Sequence, residues 1–166
     1  MIVELDGTLI NLIPTKIVGV ARNYRAHAEE MQSPVPKAPA IFLKPPSSLI
    51  GHNGTIVLPQ RSQRVDYEVE LAAIMKKRCR KVSAKQAYKY ILGYTILIDV
   101  TARDIQAEAK QKGLSWAVSK GFDTFAPTGP KIVAPDHIDP HNVDIWLKVN
   151  GSYKQQGNTR DMIFTV

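Results

Sequence analysis

The chain has 166 residues, 44% of them apolar and 22% charged, with a formal net charge of +7 and a single cysteine. That length can bury a core of its own as one domain spanning 1–166, and a lone Cys79 excludes both a disulfide framework and a cysteine zinc site. Ten glycines and eleven prolines are ordinary usage, which excludes collagen-like and disordered classes.

The first predicted element is a hairpin, Ile2–Leu5 and Thr8–Leu12, joined by Asp6-Gly7, a pair suited to the positive φ angles of a type I′ turn. Two acids in Met1–Asp6 are unlike the basic start of a secretory signal, and no apolar run approaches the ~18 residues of a membrane span, so the chain reads as cytoplasmic. Lys16–Ala21 predicts a short buried strand. Asn23 then predicts the cap of a brief helix carrying His27, Glu29, Glu30 and Met31, which Pro34, Pro36 and Pro39 stop. Ala40–Leu43 and Thr55–Leu58 predict two more short strands.

Val65–Met75 alternates in the manner of one long strand. Ser83–Gln86 predicts the start of a helix closed by Gly93, Tyr94–Val100 an apolar strand, and Thr101–Lys112 a helix ending at Gly113. Val143–Val149 and Tyr153–Gln156 flank Asn150-Gly151, a second strong hairpin signal.

Glu68 and Glu70 are two apart on the long strand, so both leave the same face, roughly 6–7 Å apart by strand geometry. A solvated strand face is the ordinary explanation of such a pair. Here the face runs on into Ala72 and Ile74, and Asp99 follows the apolar Ile96-Leu97-Ile98, so all three acids are expected among buried neighbours. Two resolutions stand side by side: a hard cation such as Mg²⁺, Mn²⁺ or Ca²⁺ held by oxygen ligands, or salt bridges to Arg103 or Lys120. His27 and Glu30, three apart on a helix, form a minimal general-base pair or else an exposed helix face. Lys120, between Ser119 and Gly121 and near Phe122 and Phe125, is either a partly desolvated oxyanion partner or a solvated loop lysine.

Taken in order, Ala21-Arg-Asn-Tyr-Arg-Ala-His27, Phe42-Leu-Lys-Pro-Pro46, Asp66-Tyr-Glu-Val-Glu-Leu71, Asp99-Val-Thr-Ala-Arg-Asp-Ile-Gln106, Lys120-Gly-Phe-Asp-Thr-Phe125 and Gly157-Asn-Thr-Arg-Asp-Met-Ile-Phe164 resemble the fumarylacetoacetate hydrolase family over nearly the whole chain. The resemblance implies an α+β, mainly β fold, a mixed β-sandwich roll with a few short helices, forming a homodimer. It implies Mg²⁺ or Mn²⁺ held by Glu68, Glu70 and Asp99, a His27–Glu30 dyad on a lid helix, and a catalytic Lys120, with Arg22, Lys44, Arg103 and Gln106 as further substrate or supporting contacts. The implied chemistry passes through an enolate of a small 2-oxo or 2,4-dioxo acid. Hydrolysis of acylpyruvates is the leading reaction, and oxaloacetate decarboxylation or tautomerisation and 2-hydroxyhepta-2,4-diene-1,7-dioate isomerisation/decarboxylation are the alternatives. Family domains continue past the Met-Ile-Phe segment with a helix, further strands and a Gly-Thr-Pro loop, so the chain is expected to be incomplete at its C-terminus relative to the family. Remoter readings are a nucleic-acid binder built on Lys76-Lys-Arg-Cys-Arg-Lys81, a redox sensor at Cys79, and an inactive family member.

Overall fold

A computed structural model describes residues 1–25 and 35–166. The first hairpin forms as expected: β1 (Ile2–Leu5) pairs antiparallel with β2 (Thr8–Asn11), and Asp6 and Gly7 take φ of 47° and 77°. β3 (Ile17–Ala21) pairs antiparallel with β4 (Ala40–Lys44). This strand pair is only half buried, which corrects the expectation for 16–21. Val18, Val20, Ile41 and Leu43 are exposed, whereas Ala21 and Lys44 are buried, because only one face of the pair meets the core.

The expected strand at Thr55–Leu58 is absent: that stretch carries exposed side chains at Val57 and Leu58, and the local strand is instead β5 (Leu49–Ile50). Val65–Met75 divides into β6 (Val65–Asp66) and β7 (Val69–Met75). The helix opened by Ser83 is one turn, α1 (Ala84–Ala87), extended by a 3-10 turn, and Ser83 makes no side-chain cap. Gly93 does not close it. It lies inside β8 (Ile91–Ile98), where a Cβ would come within 2.4 Å of the Val133 carbonyl oxygen, so the residue is needed for close backbone approach. Then come β9 (Thr101–Ala102), α2 (Arg103–Gln111), α3 (Ala117–Lys120), β10 (Ala126–Pro127), β11 (Lys131–Ile132) and the hairpin β12 (Asp144–Val149) with β13 (Ser152–Asn158). The fold is mainly β with short helices, and among the described residues no helix is long and apolar enough to cross a membrane.

β7 pairs with β8, shifting register only between Ile74 and Met75, and β6 pairs with β9; the register that stops at Val69↔Ile98 resumes unshifted at Asp66↔Thr101. In the gap Glu68 stands opposite Asp99, and the Asp99 N–H donates to the Glu68 carbonyl at 2.7 Å. Apolar clusters flank the gap. Val69 packs with Ile145 and Leu147 on one side, and Val100 packs with Ala102 and Phe125 on the other. Strand alternation sends Val69 into one cluster and therefore turns Glu68 and Glu70 to the opposite face.

Candidate active site

Lys120 ends α3 and is 3% exposed at its side chain, so it is a buried ammonium rather than a solvated loop lysine. It donates to Glu68 Oε2 at 2.9 Å, to Thr101 Oγ1 at 2.7 Å and to Asp99 Oδ2, and its Nζ lies 4.7 Å from the centre of the Phe42 ring. Lys44, delivered by the inner face of β4, donates to Asp99 Oδ1 at 2.7 Å and to the Val100 carbonyl at 3.0 Å. Arg103 opens α2 and donates to Glu68 Oε1, to Asp66 Oδ2 at 2.7 Å and to Gln106 Oε1 at 2.7 Å. The salt-bridge resolution of the buried acids is thus realised at Glu68 and Asp99. Buried charges without such partners would cost several kcal/mol each.

The carboxylates respond differently. Burial pushes Glu68 up, but Lys120 and Arg103 outweigh it and hold the carboxyl down at about 2. Burial pushes Asp99 up against the pull of Lys120 and Lys44. Burial, then the like charges of Asp99 and Glu68, push Glu70 up to about 8. Burial also lowers Lys44 from its ordinary value, against the pull of Asp99.

As they stand, no three His, Cys, Asp or Glu side chains among the described residues are grouped to hold a metal ion, and Lys120 bridges Glu68 and Asp99. The donor set still fits a hard cation. Its ligands are all oxygen, and Glu70 is disfavoured as an anion by the very neighbours that would share the ion. A cation would relieve that repulsion.

Of the other expected site residues, Gln106 orients Arg103. Arg22 adopts a left-handed φ of 56°, and its buried Nε has no hydrogen-bond partner among the described residues. His27 and Glu30 lie outside the described residues. The helix expected after Asn23 lies largely outside the described residues; the Asn23 side chain accepts from Phe164 N at 2.8 Å and donates to Phe164 O at 2.9 Å, tying the end of β3 to the C-terminal segment. Thr101, Asp66 and Phe42 are site residues that the sequence reading did not single out. The period of two could have found the first pair, since Asp66 precedes Glu68 by two and Thr101 follows Asp99 by two.

Residues 16–166 match the family model described as fumarylacetoacetate (FAA) hydrolase C-terminal. An uncharacterised protein of Pyrococcus abyssi is 61% identical over 92% of this chain and 68% of its own length. The mitochondrial oxaloacetate tautomerase of Arabidopsis thaliana is 48% identical over 92% of this chain and 68% of its own length. The crystal structure of 2-hydroxyhepta-2,4-diene-1,7-dioate isomerase from Mycobacterium marinum superposes with a TM-score of 0.79 at 41% identity, over 93% of this chain and 55% of that one. The chain belongs to the fumarylacetoacetate hydrolase family. It spans between 60% and 68% of the length of the first four curated relatives it matches.

Proposed function

We propose that the chain acts on a small 2-oxo dicarboxylate of the oxaloacetate type, moving the proton on the carbon beside the ketone and so interconverting keto and enol forms. The observation that carries this reading is the buried meeting of Lys120, Lys44 and Arg103 with Glu68 and Asp99, a water-poor site whose cations suit an anionic substrate and a developing oxyanion. Similarity to an oxaloacetate tautomerase supports it.

A divalent cation, Mg²⁺ or Mn²⁺, would be held by Glu68, Glu70 and Asp99 and would act as a Lewis acid toward the 2-oxo group. The chain's own residues do the rest. Arg103, fixed by Asp66 and Gln106, presents a guanidinium beside Glu68 that suits a substrate carboxylate. Lys120 offers its ammonium to the oxygen on which charge builds as the proton leaves. Phe42 and Phe125, against which Lys120 and Lys44 lie, exclude water from these charges and strengthen them. Tautomerisation breaks the C–H bond beside the ketone, leaves its electron pair in the enolate and delivers the proton by way of a base to the enol oxygen, whereas decarboxylation reaches the same enolate by losing CO₂. The proton needs a base to receive it and to return it to the oxygen or the carbon, and the family resemblance offers His27 with Glu30 for that role; in acylpyruvate hydrolysis, the second reading, the same pair would activate water instead.

The test is the ultraviolet absorbance of oxaloacetate and of acetylpyruvate, with protein and Mn²⁺, with protein and chelator, and with Glu68→Gln. Mn²⁺ without protein is the control for metal-catalysed decarboxylation. Protein- and Glu68-dependent loss of enol absorbance without CO₂ supports tautomerisation; release of CO₂ indicates the decarboxylase, and loss of the acetylpyruvate signal the hydrolase. Equal rates for wild type and Glu68→Gln on both substrates would overturn the assignment.

A further inference from the structure

An ammonium has three N–H donors, and all three of Lys120 are taken: by Glu68 Oε2 at 2.9 Å, by Asp99 Oδ2 and by Thr101 Oγ1 at 2.7 Å. The three acceptors differ in kind. Two are carboxylates, and those two are needed elsewhere if Glu68, Glu70 and Asp99 close around a divalent cation. The third is a neutral hydroxyl, a weak competitor for a hard cation beside three carboxylates.

Thr101 is built to stay where it is. It is fully buried, and β9 fixes its backbone by pairing Thr101 with Asp66. Its hydroxyl donates to the Asp99 carbonyl at 3.1 Å, which spends the hydroxyl proton and leaves an oxygen lone pair for Lys120. The β-branch restricts χ1 and so holds the oxygen in that direction. Resting on the cation reading above, we infer that Thr101 is a positioning residue, which keeps the Lys120 ammonium at the reacting centre when a divalent cation draws Glu68 and Asp99 away from it.

The consequence is asymmetric. Without a cation, loss of the hydroxyl leaves Lys120 two carboxylate acceptors. With a cation bound, it leaves a buried ammonium short of its remaining fixed acceptor, so the cation-bound state is penalised more. Leaving one buried donor unmatched corresponds to roughly a ten-fold change in an equilibrium constant.

The experiment is a titration of the full chain with Mn²⁺, followed by the electron paramagnetic resonance of the free ion, for wild type, Thr101→Val, Thr101→Ser and Glu68→Gln. Steady-state turnover is measured in parallel. Thr101→Val, which keeps the shape and removes the oxygen, is expected to bind Mn²⁺ about ten-fold more weakly and to lose about ten-fold in kcat with KM moved less than three-fold. Thr101→Ser is expected to stay within about three-fold of wild type in all of these. A merely structural role would lower the melting temperature and leave the Mn²⁺ affinity of the folded protein where it was. If Thr101→Val does not fold, Thr101→Cys, a poor acceptor of serine-like size, takes its place against the Ser control. Mn²⁺ binding that needs Glu68 but is unmoved by Thr101→Val overturns the role of Thr101 alone, as does a Ser variant as impaired as the Val one. Equal Mn²⁺ binding by wild type and Glu68→Gln overturns the cation reading, and the tether with it.

Discussion

The strand β7 joins two concentrations of charge that have opposite fates. At its start Glu68 and Glu70 lie with Asp99, Lys44, Lys120 and Arg103 between two apolar clusters, and the cations are spent on named carboxylate oxygens. Past its end, Lys76–Lys81 puts five basic residues in six into solvent, where among the described residues the one aromatic or charged contact is Lys77 over the Tyr90 ring at 4.8 Å. The second cluster is the denser in sequence, yet the first has the geometry of a site. What separates them is burial: desolvation makes each pairing at the gap consequential, whereas a solvated run is screened within about 10 Å at ordinary salt.

The sharpest way to break this contrast is Glu68→Ala. It strips Lys120 and Arg103 of an acceptor each, so turnover should fall by about 10³-fold or more and chemical denaturation should show a loss of about 3–5 kcal/mol. Unchanged stability would mean that the buried pairs are not what the gap depends on. Next comes Lys120→Met. It should lower kcat by about 10²–10³-fold while tightening Mn²⁺ binding measured by calorimetry, because the ammonium no longer competes for Glu68 and Asp99.

A smaller effect distinguishes a carboxylate held by neutral donors at the rim. The Asp104 carboxyl, which accepts from the Ser62 hydroxyl at 2.6 Å, Gln63 N at 2.7 Å and Ile105 N at 2.9 Å, is held down at about 2, chiefly by Ser62 and then by Gln63. Because the folded state depresses this pKa, its stabilisation is complete above the ordinary value of 3.8 and is lost as pH falls through about 2. Asp104→Asn should flatten that part of the acid-unfolding curve and leave the pH dependence above about pH 5, where the raised carboxyl of Glu70 titrates, as it is in the wild type. The smallest effect is expected at the basic run. Replacing Lys76, Lys77, Arg78, Arg80 and Lys81 by serine should change stability by no more than about 0.5 kcal/mol per site and leave turnover within two-fold. A larger loss of turnover would sink the distinction between the two ends of β7.

Much of the site was legible because its acids sit on strands, where a period of two assigns faces directly. Glu68, Glu70 and Asp99 follow from that rule, and Arg103 and Lys120 from the need to neutralise them. Lys44 and Phe42 were harder, because they arrive from β4, whose pairing with β3 has no local signal linking it to Asp99. The same cause explains the errors in the fold. Gly93 reads locally as a helix stop, but the close passage of Val133 is a contact forty residues away. Val65–Met75 reads as one strand because the interruption at Tyr67–Glu68 is imposed across the sheet, opposite Asp99 and Val100. Thr55–Leu58 has the apolar content of a strand and pairs with no strand among the described residues.

The most direct test of the central claim is exchange of the carbon-3 protons of oxaloacetate in deuterated water, followed by proton nuclear magnetic resonance with diamagnetic Mg²⁺ and either wild type or Glu68→Gln. If the charges at the strand gap move a proton beside the ketone, exchange above the metal-only rate appears with wild type and is lost in the variant. Exchange at the same rate with both proteins would contradict the assignment of this site to proton transfer.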